Sequence, residues 1–227
     1  MKISIIVPAF NEKNTIKEII EKIENVSLPI EKEIIAVDDG SFDGTEEILR
    51  RLKEKFDFIL IRHPKNQGKG AAIKTGLSSS TGDFVLIQDA DLEYDPNDYP
   101  ILLKPLLENN FSVVYGSRIL GKNKRGKLLF YLGGRFLTFL VNLLYGLNIT
   151  DEATGYKVFK KEILKGLNLE NKGFDFCPEV TAKIAKRGIK IYEVPIFYNP
   201  RTDKEGKKLK WIDGLRAVCA LIKYKFK

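Results

Sequence analysis

The first hundred residues alternate short apolar runs with segments of helical periodicity. Ile16, Ile19, Ile20 and Ile23 recur at the spacing of one buried helix face. The apolar runs on either side have the length of buried strands. The predicted strands cover residues 3–7, 33–37, 58–61 and 84–87. This alternation predicts right-handed βαβ crossovers, and therefore a Rossmann-like α/β/α fold of three layers around a mostly parallel sheet.

A group of carboxylates follows the fourth of these strands. Asp89, Asp91 and Glu93 occupy alternate positions, which on an extended chain turn their side chains to one side. Open α/β sheets bind ligands at the carboxyl ends of their strands. Carboxylate oxygens suit Mg²⁺ or Mn²⁺, which proteins usually hold with one or two carboxylates and a substrate phosphate. A divalent-metal site is one interpretation of this segment, and a solvated acidic loop is the other.

Three more predicted strand ends carry polar loops that converge on the same edge of the sheet. They are residues 8–12, residues 38–41 and the Gly68-Lys69-Gly70 segment. Acidic side chains can accept hydrogen bonds from a base and a ribose, Lys69 can meet a phosphate, and glycines permit close backbone approach at a helix start. Each loop alone has the composition of an ordinary turn. Their conjunction with the carboxylates predicts a nucleotide-binding pocket.

Composition and charge limit the class of protein and its partners. The chain has 227 residues and a formal charge of +8 at pH 7. Cys177 and Cys219 lie in unrelated contexts, which argues against a zinc site or a disulfide framework and favours a reducing compartment. The chain enters its first strand without a signal or transit sequence, so we expect it in the cytoplasm. The positive charge admits nucleic acid, an anionic membrane or a phosphate-rich substrate.

The second half contains an apolar segment behind a basic loop. After a strand at residues 113–115, residues 118–127 are mostly basic or glycine, as in a mobile loop. Residues 128–147 are apolar nearly throughout and about as long as the ~20 residues that span a bilayer. Arg135 near the middle makes spanning costly, which favours a helix or helix pair in the membrane interface over one packed in the core. The basic flank supports the interface: Lys122, Lys124, Arg125 and Lys127.

The carboxyl-terminal residues repeat this pattern of apolar and basic positions. After a strand at residues 189–194, a lysine-rich loop precedes a segment in which Trp211, Leu215, Val218 and Ile222 recur at helical spacing. Residues 207–227 are either a basic amphipathic helix at a membrane surface or an ordinary packing helix with a solvated tail. The loop lysines are Lys204, Lys207, Lys208 and Lys210. Because the positive charge is concentrated here, we expect no nucleic-acid partner.

The four strand-end motifs together resemble a known family. Pro8-Ala9-Phe10-Asn11-Glu12, the Asp38-Asp39-Gly40-Ser41 run, Gly68-Lys69-Gly70 and Asp89-Ala90-Asp91 are similar, in this order, to family 2 glycosyltransferases of the GT-A fold. The similarity is greatest to the branch that transfers single hexoses to dolichyl phosphate. It implies a donor- and metal-binding half at residues 1–117 and an acceptor-binding half at residues 118–227. The implied donor and cofactor residues are Pro8, Ala9, Phe10, Glu12, Asp38, Asp39, Lys69, Asp89, Ala90 and Asp91, with Asp89, Asp91 and Glu93 as metal ligands.

The resemblance also implies the reaction. A hexose would pass with inversion from a nucleotide sugar, GDP-mannose before UDP-glucose, to a polyprenyl phosphate on the cytoplasmic face of a membrane. A phosphate monoester is largely dianionic near neutral pH, so it attacks without a general base. Arginines would position the two anions. The expected catalytic residues are Asp91, Arg118, Arg135, Arg201 and Glu179, with Lys208 as a helper and Asp151 in the sugar pocket.

Two other functions stay open at this stage. In a soluble transferase acting on a sugar hydroxyl, Glu179 or Asp151 would serve as the base. Glu179 falls where relatives of that kind carry a catalytic carboxylate, although it would equally suit the positive end of a helix dipole. A non-catalytic module binding nucleotide sugar or RNA is the other alternative, and the carboxylates at Asp89 and Asp91 would repel an RNA backbone unless a metal intervened. The sequence makes no prediction of oligomeric state.

Overall fold

The structure, a computed structural model, describes residues 1–121, 123, 126–201, 206, 208 and 211–227. The strands within these residues are β1 (Lys2–Ala9), β2 (Glu31–Asp38), β3 (Ile59–Arg62), β4 (Phe84–Ile87), β5 (Val113–Ser117), β6 (Lys157–Lys160) and β7 (Tyr192–Pro195). The helices are α1 (Ile16–Asn25), α2 (Thr45–Lys53), α3 (Lys69–Ser79), α4 (Tyr99–Glu108), α5 (Leu128–Tyr145), α6 (Lys161–Gly166), α7 (Phe176–Lys186) and α8 (Trp211–Phe226). A 3₁₀ helix at Pro96–Asp98 precedes α4.

The strands form one sheet in the order β3-β2-β1-β4-β6-β5-β7. Strand β6 runs antiparallel to β4 and β5, and the other neighbouring strands are parallel. The mostly parallel sheet predicted from the sequence is therefore confirmed. Because β6 lies between β4 and β5, residues on both sides of position 117 share this sheet, and the division at residues 117 and 118 stays a prediction about function.

The predicted apolar periodicities define the core beneath the sheet edge. Ile16, Ile19, Ile20 and Ile23 are all fully buried on α1, as their spacing predicts. Every residue of β4 is buried, which is typical of a strand covered by helices on both faces. This central strand fixes the position of the carboxylates that follow it.

Helix α5 corresponds to most of the predicted apolar segment 128–147. It is a single helix in which Thr138 and Val141 are buried, and Val141 packs with Leu221 and Tyr224 of α8. Among the described helices, α5 is long and apolar enough to cross a membrane by length and composition, with a mean hydropathy of 1.5. The apolar residues on its outer face are exposed: Leu128, Leu129, Leu132, Phe136, Phe139 and Leu143. This exposure argues against the alternative in which the segment packs in the core.

Helix α8 combines the two alternatives that the sequence left open, a packing helix and a helix with an exposed apolar face. Its packed face consists of Ala217, Ala220, Leu221 and Tyr224, so it is a packing helix against α5 and α7. The apolar residues that the sequence predicted at helical spacing lie mostly outside this packed face. Trp211, Leu215 and Ile222 are exposed, and Val218 is partly buried. Several basic residues predicted to flank α5 and α8 lie outside the described residues: Lys122, Lys124, Arg125, Lys204, Lys207 and Lys210.

Candidate functional site

A cavity of about 1350 Å³ lies over the carboxyl ends of β1 and β4 and continues between α5 and α8. Its polar end is lined by loops that follow the parallel strands, and its apolar end by the first halves of the two helices. The predicted residues that line it are Pro8, Ala9, Phe10, Glu12, Asp39, Lys69, Asp89, Ala90, Asp91, Glu93, Arg118, Arg135, Asp151, Arg201 and Lys208. The fold therefore brings most of the predicted site together.

Lys69 and Asp89 form an ion pair inside the cavity. Lys69 is the first residue of α3, and its Nζ pairs with Asp89 Oδ1. Asp89 also lies against the backbone of Gly155, where an added Cβ would come within 2.5 Å of Asp89 Oδ2. A glycine is therefore needed there for the loop to pass so close to the carboxylate.

The Asp91 carboxylate is perturbed by its surroundings. Its Oδ2 accepts a hydrogen bond from Arg201 Nη2 at 2.9 Å. Burial and the neighbouring carboxylates Asp89 and Glu93 raise the pKa of Asp91 to about 7, against the opposing effect of Arg201. The site thus has more negative charge than its own cations neutralise, which suits the binding of a divalent cation.

Glu93 does not join the two aspartates as predicted. The chain turns at Leu92, whose φ of +61° lies in the left-handed region, so residues 89–93 are not extended. The Glu93 carboxylate accepts hydrogen bonds from the Tyr198 hydroxyl at 3.0 Å and the Arg201 backbone N–H at 2.8 Å. Glu93 therefore anchors the loop at residues 198–201, and the prediction of Glu93 as a metal ligand is not supported by the structure.

A divalent metal fits the two aspartates as an incomplete site. The described residues contain no group of three or more His, Cys, Asp or Glu side chains that would hold a metal alone. Mg²⁺ and Mn²⁺ are commonly bound by one or two carboxylates together with substrate phosphates. Asp89 and Asp91, with the uncompensated charge around Asp91, match that donor set.

Glu12 connects the first loop to the carboxyl-terminal loop. Its carboxylate accepts hydrogen bonds from Arg201 Nη1 at 3.1 Å and from the Thr15 hydroxyl at 2.8 Å. Lys208 Nζ also donates to Glu12 and to the carbonyl of Asn11 at 3.1 Å. Arg201 and Lys208 thereby close one side of the cavity over the loop that follows β1.

The adjacent residues Asp38 and Asp39 differ in position. Asp39 lines the cavity, and its carboxylate accepts hydrogen bonds from the backbone of Gln67 at 2.9 Å and of Gly68 at 2.7 Å. His63 Nδ1 lies 2.6 Å from Asp39 Oδ1, so the histidine orders this loop. Asp38 is fully buried and is not among the described cavity-lining residues. The predicted contact of the Asp38 side chain with the nucleotide is therefore not supported, because Asp38 is the last residue of β2 and points into the protein.

Arg118 and Arg135 are anchored to consecutive residues of one loop. Arg118 forms a two-point ion pair with Asp151, with both nitrogen–oxygen distances at 2.7 Å. Arg135, from α5, donates to the carbonyl of Thr150 at 3.1 Å. Two guanidinium groups, one after β5 and one on α5, are thus positioned on the same side of the cavity. Because both carboxylate oxygens of Asp151 accept hydrogen bonds from Arg118, Asp151 orients the arginine and is less available to act as a base.

Glu179 lies outside this arrangement. Its carboxylate is fully buried and accepts hydrogen bonds from the backbone N–H groups of Glu170 at 2.7 Å and Asn171 at 2.8 Å. Lys183 Nζ adds a third at 2.7 Å. The described residues around the cavity include Cys177 and Pro178 of the same helix but not Glu179. The structure thus contradicts its placement at the site, because the first turn of α7 directs this carboxylate to the loop before the helix.

Two tyrosines in the site were not anticipated from the sequence. The Tyr94 hydroxyl accepts a hydrogen bond from the Gly155 N–H at 2.7 Å, and its ring stacks 4.6 Å from that of Tyr156. Tyr198 lies 5.1 Å from the Arg118 guanidinium and binds Glu93. Tyr94 could have been predicted from the sequence, because it directly follows the predicted metal-binding residues 89–93. Tyr198 reaches the site only through the pairing of distant loops.

Comparison with known families gives a match over most of the chain. The family model of glycosyl transferase family 2 matches residues 4–167. A dolichol-phosphate mannosyltransferase of Pyrococcus furiosus is 30% identical over 230 residues, covering 99% of this chain and 64% of the relative. A dolichyl-phosphate beta-glucosyltransferase of Trichomonas vaginalis is 32% identical, covering 97% of this chain and 72% of the relative. The chain thus spans about two thirds of the length of these relatives.

A solved structure has the same fold. Glucosyl-3-phosphoglycerate synthase of Mycobacterium tuberculosis, crystallised with Mn²⁺, uridine diphosphate and glucosyl-3-phosphoglycerate, superposes with a TM-score of 0.77. The superposition covers 99% of this chain and 80% of the synthase, at 22% identity. The same synthase has been crystallised with Mg²⁺ and uridine diphosphate. At this level of identity, the similarity establishes the fold.

Proposed function

Because this chain belongs to glycosyl transferase family 2, we propose that it transfers a single hexose from a nucleotide sugar to a polyprenyl phosphate. The observation that carries the proposal is the continuity of the cavity, which runs from Asp89 and Asp91 to the apolar sides of α5 and α8. A polyprenyl phosphate has a charged group attached to an apolar chain. It therefore matches both ends of one cavity.

The donor would bind at the strand-end loops. The loop at residues 8–12, Asp39 and Lys69 surround the polar end of the cavity, where a nucleoside diphosphate fits the combination of hydrogen-bond acceptors and a cation. Relatives named for mannosyl and for glucosyl transfer support a hexose donor. We propose GDP-mannose first and UDP-glucose second.

Asp89 and Asp91 would hold Mg²⁺ or Mn²⁺ together with the donor diphosphate. The bound metal supplies Lewis-acid stabilisation of the charge that develops on the leaving diphosphate. Lys69 already pairs with Asp89, and Arg201 with Asp91. These two cations offset part of the negative charge of the carboxylates, and they would contact the diphosphate once the metal and the donor are bound.

The acceptor phosphate would bind between Arg118, Arg135 and Arg201. Its oxygen attacks the anomeric carbon while the bond from that carbon to the diphosphate breaks, so the nucleoside diphosphate leaves with the bonding electrons and the configuration inverts. The phosphate is already ionised near neutral pH, so no base has to remove a proton. The arginines reduce the repulsion between the two anions and fix the line of attack.

A transferase that acts on a hydroxyl is less well supported by this site. Of the two bases expected for it, Glu179 lies outside the cavity and Asp151 is paired with Arg118. A hydroxyl acceptor would also leave the apolar end of the cavity without an occupant. The polyprenyl phosphate accounts for both observations.

The outer faces of α5 and α8 would bind the surface of a membrane on its cytoplasmic side. Phe139 and Leu143 of α5 are 62% and 68% exposed, and Ile222 and Phe226 of α8 are 47% and 85% exposed. Large apolar residues exposed on neighbouring helices are typical of interfacial helices. Basic residues beside them, including Lys223 and Lys225, suit anionic headgroups.

The experiment that tests this function follows label into the lipid phase. Purified protein is incubated with Mn²⁺, dolichyl phosphate and radiolabelled GDP-mannose or UDP-glucose in parallel reactions, and the organic phase is counted. We expect label from one donor, lost when the metal is chelated. Nucleotide binding with no lipid label from any nucleotide sugar would contradict the proposal and favour a hydroxyl acceptor.

A further inference from the structure

We infer that Glu152 determines the specificity for the donor sugar, its carboxylate accepting a hydrogen bond from a ring hydroxyl of the bound hexose. The inference rests on the proposed function, since a nucleotide-sugar donor supplies that hydroxyl. It adds a contact to the sugar that the four strand-end motifs do not contain.

Glu152 lies on the loop that passes the metal-binding carboxylates. Three residues further along this loop, the backbone of Gly155 lies against Asp89. Glu152, Ala153 and Gly155 all line the cavity together with Asp89 and Cys177. A hexose attached to a diphosphate at Asp89 and Asp91 would therefore lie beside this loop.

The Glu152 carboxylate is buried with few hydrogen bonds. The residue is 1% exposed although it lines the cavity. Among the residues that the structure describes, only the Thr181 hydroxyl donates to its carboxylate, at 3.3 Å. That hydroxyl also lies 3.2 Å from the carbonyl of Cys177, which competes for the same proton. An ionised carboxylate has about four acceptor sites, so it can accept further hydrogen bonds from a ligand.

The surrounding residues hold the Glu152 backbone and leave the carboxylate available. The Thr138 hydroxyl accepts a hydrogen bond from the Glu152 N–H at 3.1 Å. Lys157 is fully buried, and its Nζ donates to the carbonyls of Glu152 and Thr154, both at 2.7 Å. The lysine charge therefore compensates the carboxylate nearby without hydrogen bonding to it. Both backbone groups of Glu152 are fixed, which orients the side chain.

This arrangement has the properties of a polar specificity contact. A buried acceptor left without its partner costs free energy, so a site built around it discriminates strongly against ligands that lack the donor group. If Glu152 were only structural, a second strong donor would be expected on its carboxylate. A sugar hydroxyl supplies that donor when the substrate is bound.

The test measures donor binding without an acceptor. A fluorescent nucleoside diphosphate is bound to the 227-residue chain with Mn²⁺ and displaced by the nucleotide sugar or by its 2-, 3-, 4- or 6-deoxy analogues. We expect one deoxy donor to bind at least about tenfold more weakly than the parent sugar. In Glu152→Gln this penalty should shrink to a few-fold, and in Glu152→Ala it should disappear. Affinity for the nucleoside diphosphate should stay unchanged in both variants.

Thr181→Val is the matched control, because it removes the neighbouring hydroxyl and leaves the carboxylate in place. We expect it to keep the full discrimination against the same deoxy donor. The inference is overturned if the wild type tolerates every deoxy donor, or if the Glu152 variants keep the wild-type pattern. It is also overturned if the Glu152 variants weaken the binding of the nucleoside diphosphate and of every nucleotide sugar by the same factor. Since no acceptor is present, absence of transfer to dolichyl phosphate would reject the proposed function and still leave this result readable.

Discussion

Strand β4 and helix α5 are both largely apolar, and the loop that follows β4 and the first half of α5 line the same cavity. All four residues of β4 are buried, whereas α5 buries Thr138 and Val141 and exposes a continuous apolar face. The strand pairs with a neighbouring strand on each side, β1 and β6, and it positions Asp89 and Asp91 in the loop that follows it. The helix is packed on one side only. Apolar residues therefore have different consequences in the two elements: in β4 they are buried in the fold, and in α5 they form the exposed face that we propose as a lipid-binding surface.

The largest effect is expected at the carboxylates that follow β4. Asp91→Asn should reduce hexose transfer by on the order of 10²–10³-fold, because it removes a metal ligand at the leaving group. Glu93→Gln, matched in chemistry two residues away, should reduce transfer far less, because Glu93 anchors the loop at residues 198–201. Label in the lipid phase measures both variants. Equal losses would show that Glu93 also binds the metal.

Arg201→Ala tests the cation that connects the two regions. We expect transfer to fall by about 100-fold, because the guanidinium no longer offsets the charge of the phosphates. Well above pH 7, where Asp91 is ionised, binding of Mn²⁺ alone should tighten by about fivefold, since the ion pair with Asp91 is worth about 1 kcal/mol. Titration of Mn²⁺ by electron paramagnetic resonance measures this, with Arg50→Ala on exposed α2 as the control. Weaker Mn²⁺ binding in Arg201→Ala would contradict the assignment.

Substitution on the exposed face of α5 should have a smaller effect than the two changes above, and it should affect membrane binding and not the transfer reaction. Phe139→Glu should weaken sedimentation with anionic vesicles by roughly tenfold to a hundredfold, because a fully buried phenylalanine contributes about 1.5–3 kcal/mol. Ile101→Glu on α4 is the matched control, since Ile101 is also an exposed apolar residue but lies on a different helix. If both variants bind vesicles like the wild type, α5 is not the membrane-binding face.

The binding of the metal should also depend on pH. Because the pKa of Asp91 is raised to about 7, this carboxyl is protonated below that pH and must lose its proton to bind a metal. Affinity for Mn²⁺ should therefore fall by about tenfold for each pH unit below 7 and level off above it. Calorimetric titration between pH 5.5 and about 8.5 measures the profile. A flat profile would place the metal elsewhere.

The sequence predicted the first half of the site well because its signals are local. The motifs at residues 8–12 and 38–41, at Gly68-Lys69-Gly70 and at Asp89-Ala90-Asp91 each follow a strand, so a correct sheet brings them together. The family and the mostly parallel sheet are confirmed. Strand β6 was missed because its two apolar residues, Val158 and Phe159, are flanked by Lys157 and Lys160, so it lacks the apolar run that marked β4.

The remaining errors concern side-chain direction and distant pairing. Periodicity placed Glu93 beside Asp91, but the left-handed turn at Leu92 rotates it toward Tyr198. Asp38 and Glu179 were assigned by resemblance, and their burial follows from packing that no local pattern records. The resemblance marked residues 150–157 as a sugar-pocket segment and favoured Asp151 there, but it did not separate Glu152 from a helix or turn cap, because the environment of Glu152 is assembled from α5, α7 and β6. Such positions depend on contacts between residues far apart in the chain.

One cavity joins the proposed sugar-nucleotide site to the proposed lipid site, and acceptor length tests this continuity most directly. Gly133 of α5 lines the apolar end, and an added Cβ there would meet nothing within 4 Å. The measurement compares kcat/KM for short and long polyprenyl phosphates in the wild type and in Gly133→Phe. We predict that the variant loses about tenfold on long acceptors while keeping nucleotide affinity and activity on short ones. Equal losses on both acceptors, or none on either, would contradict the account.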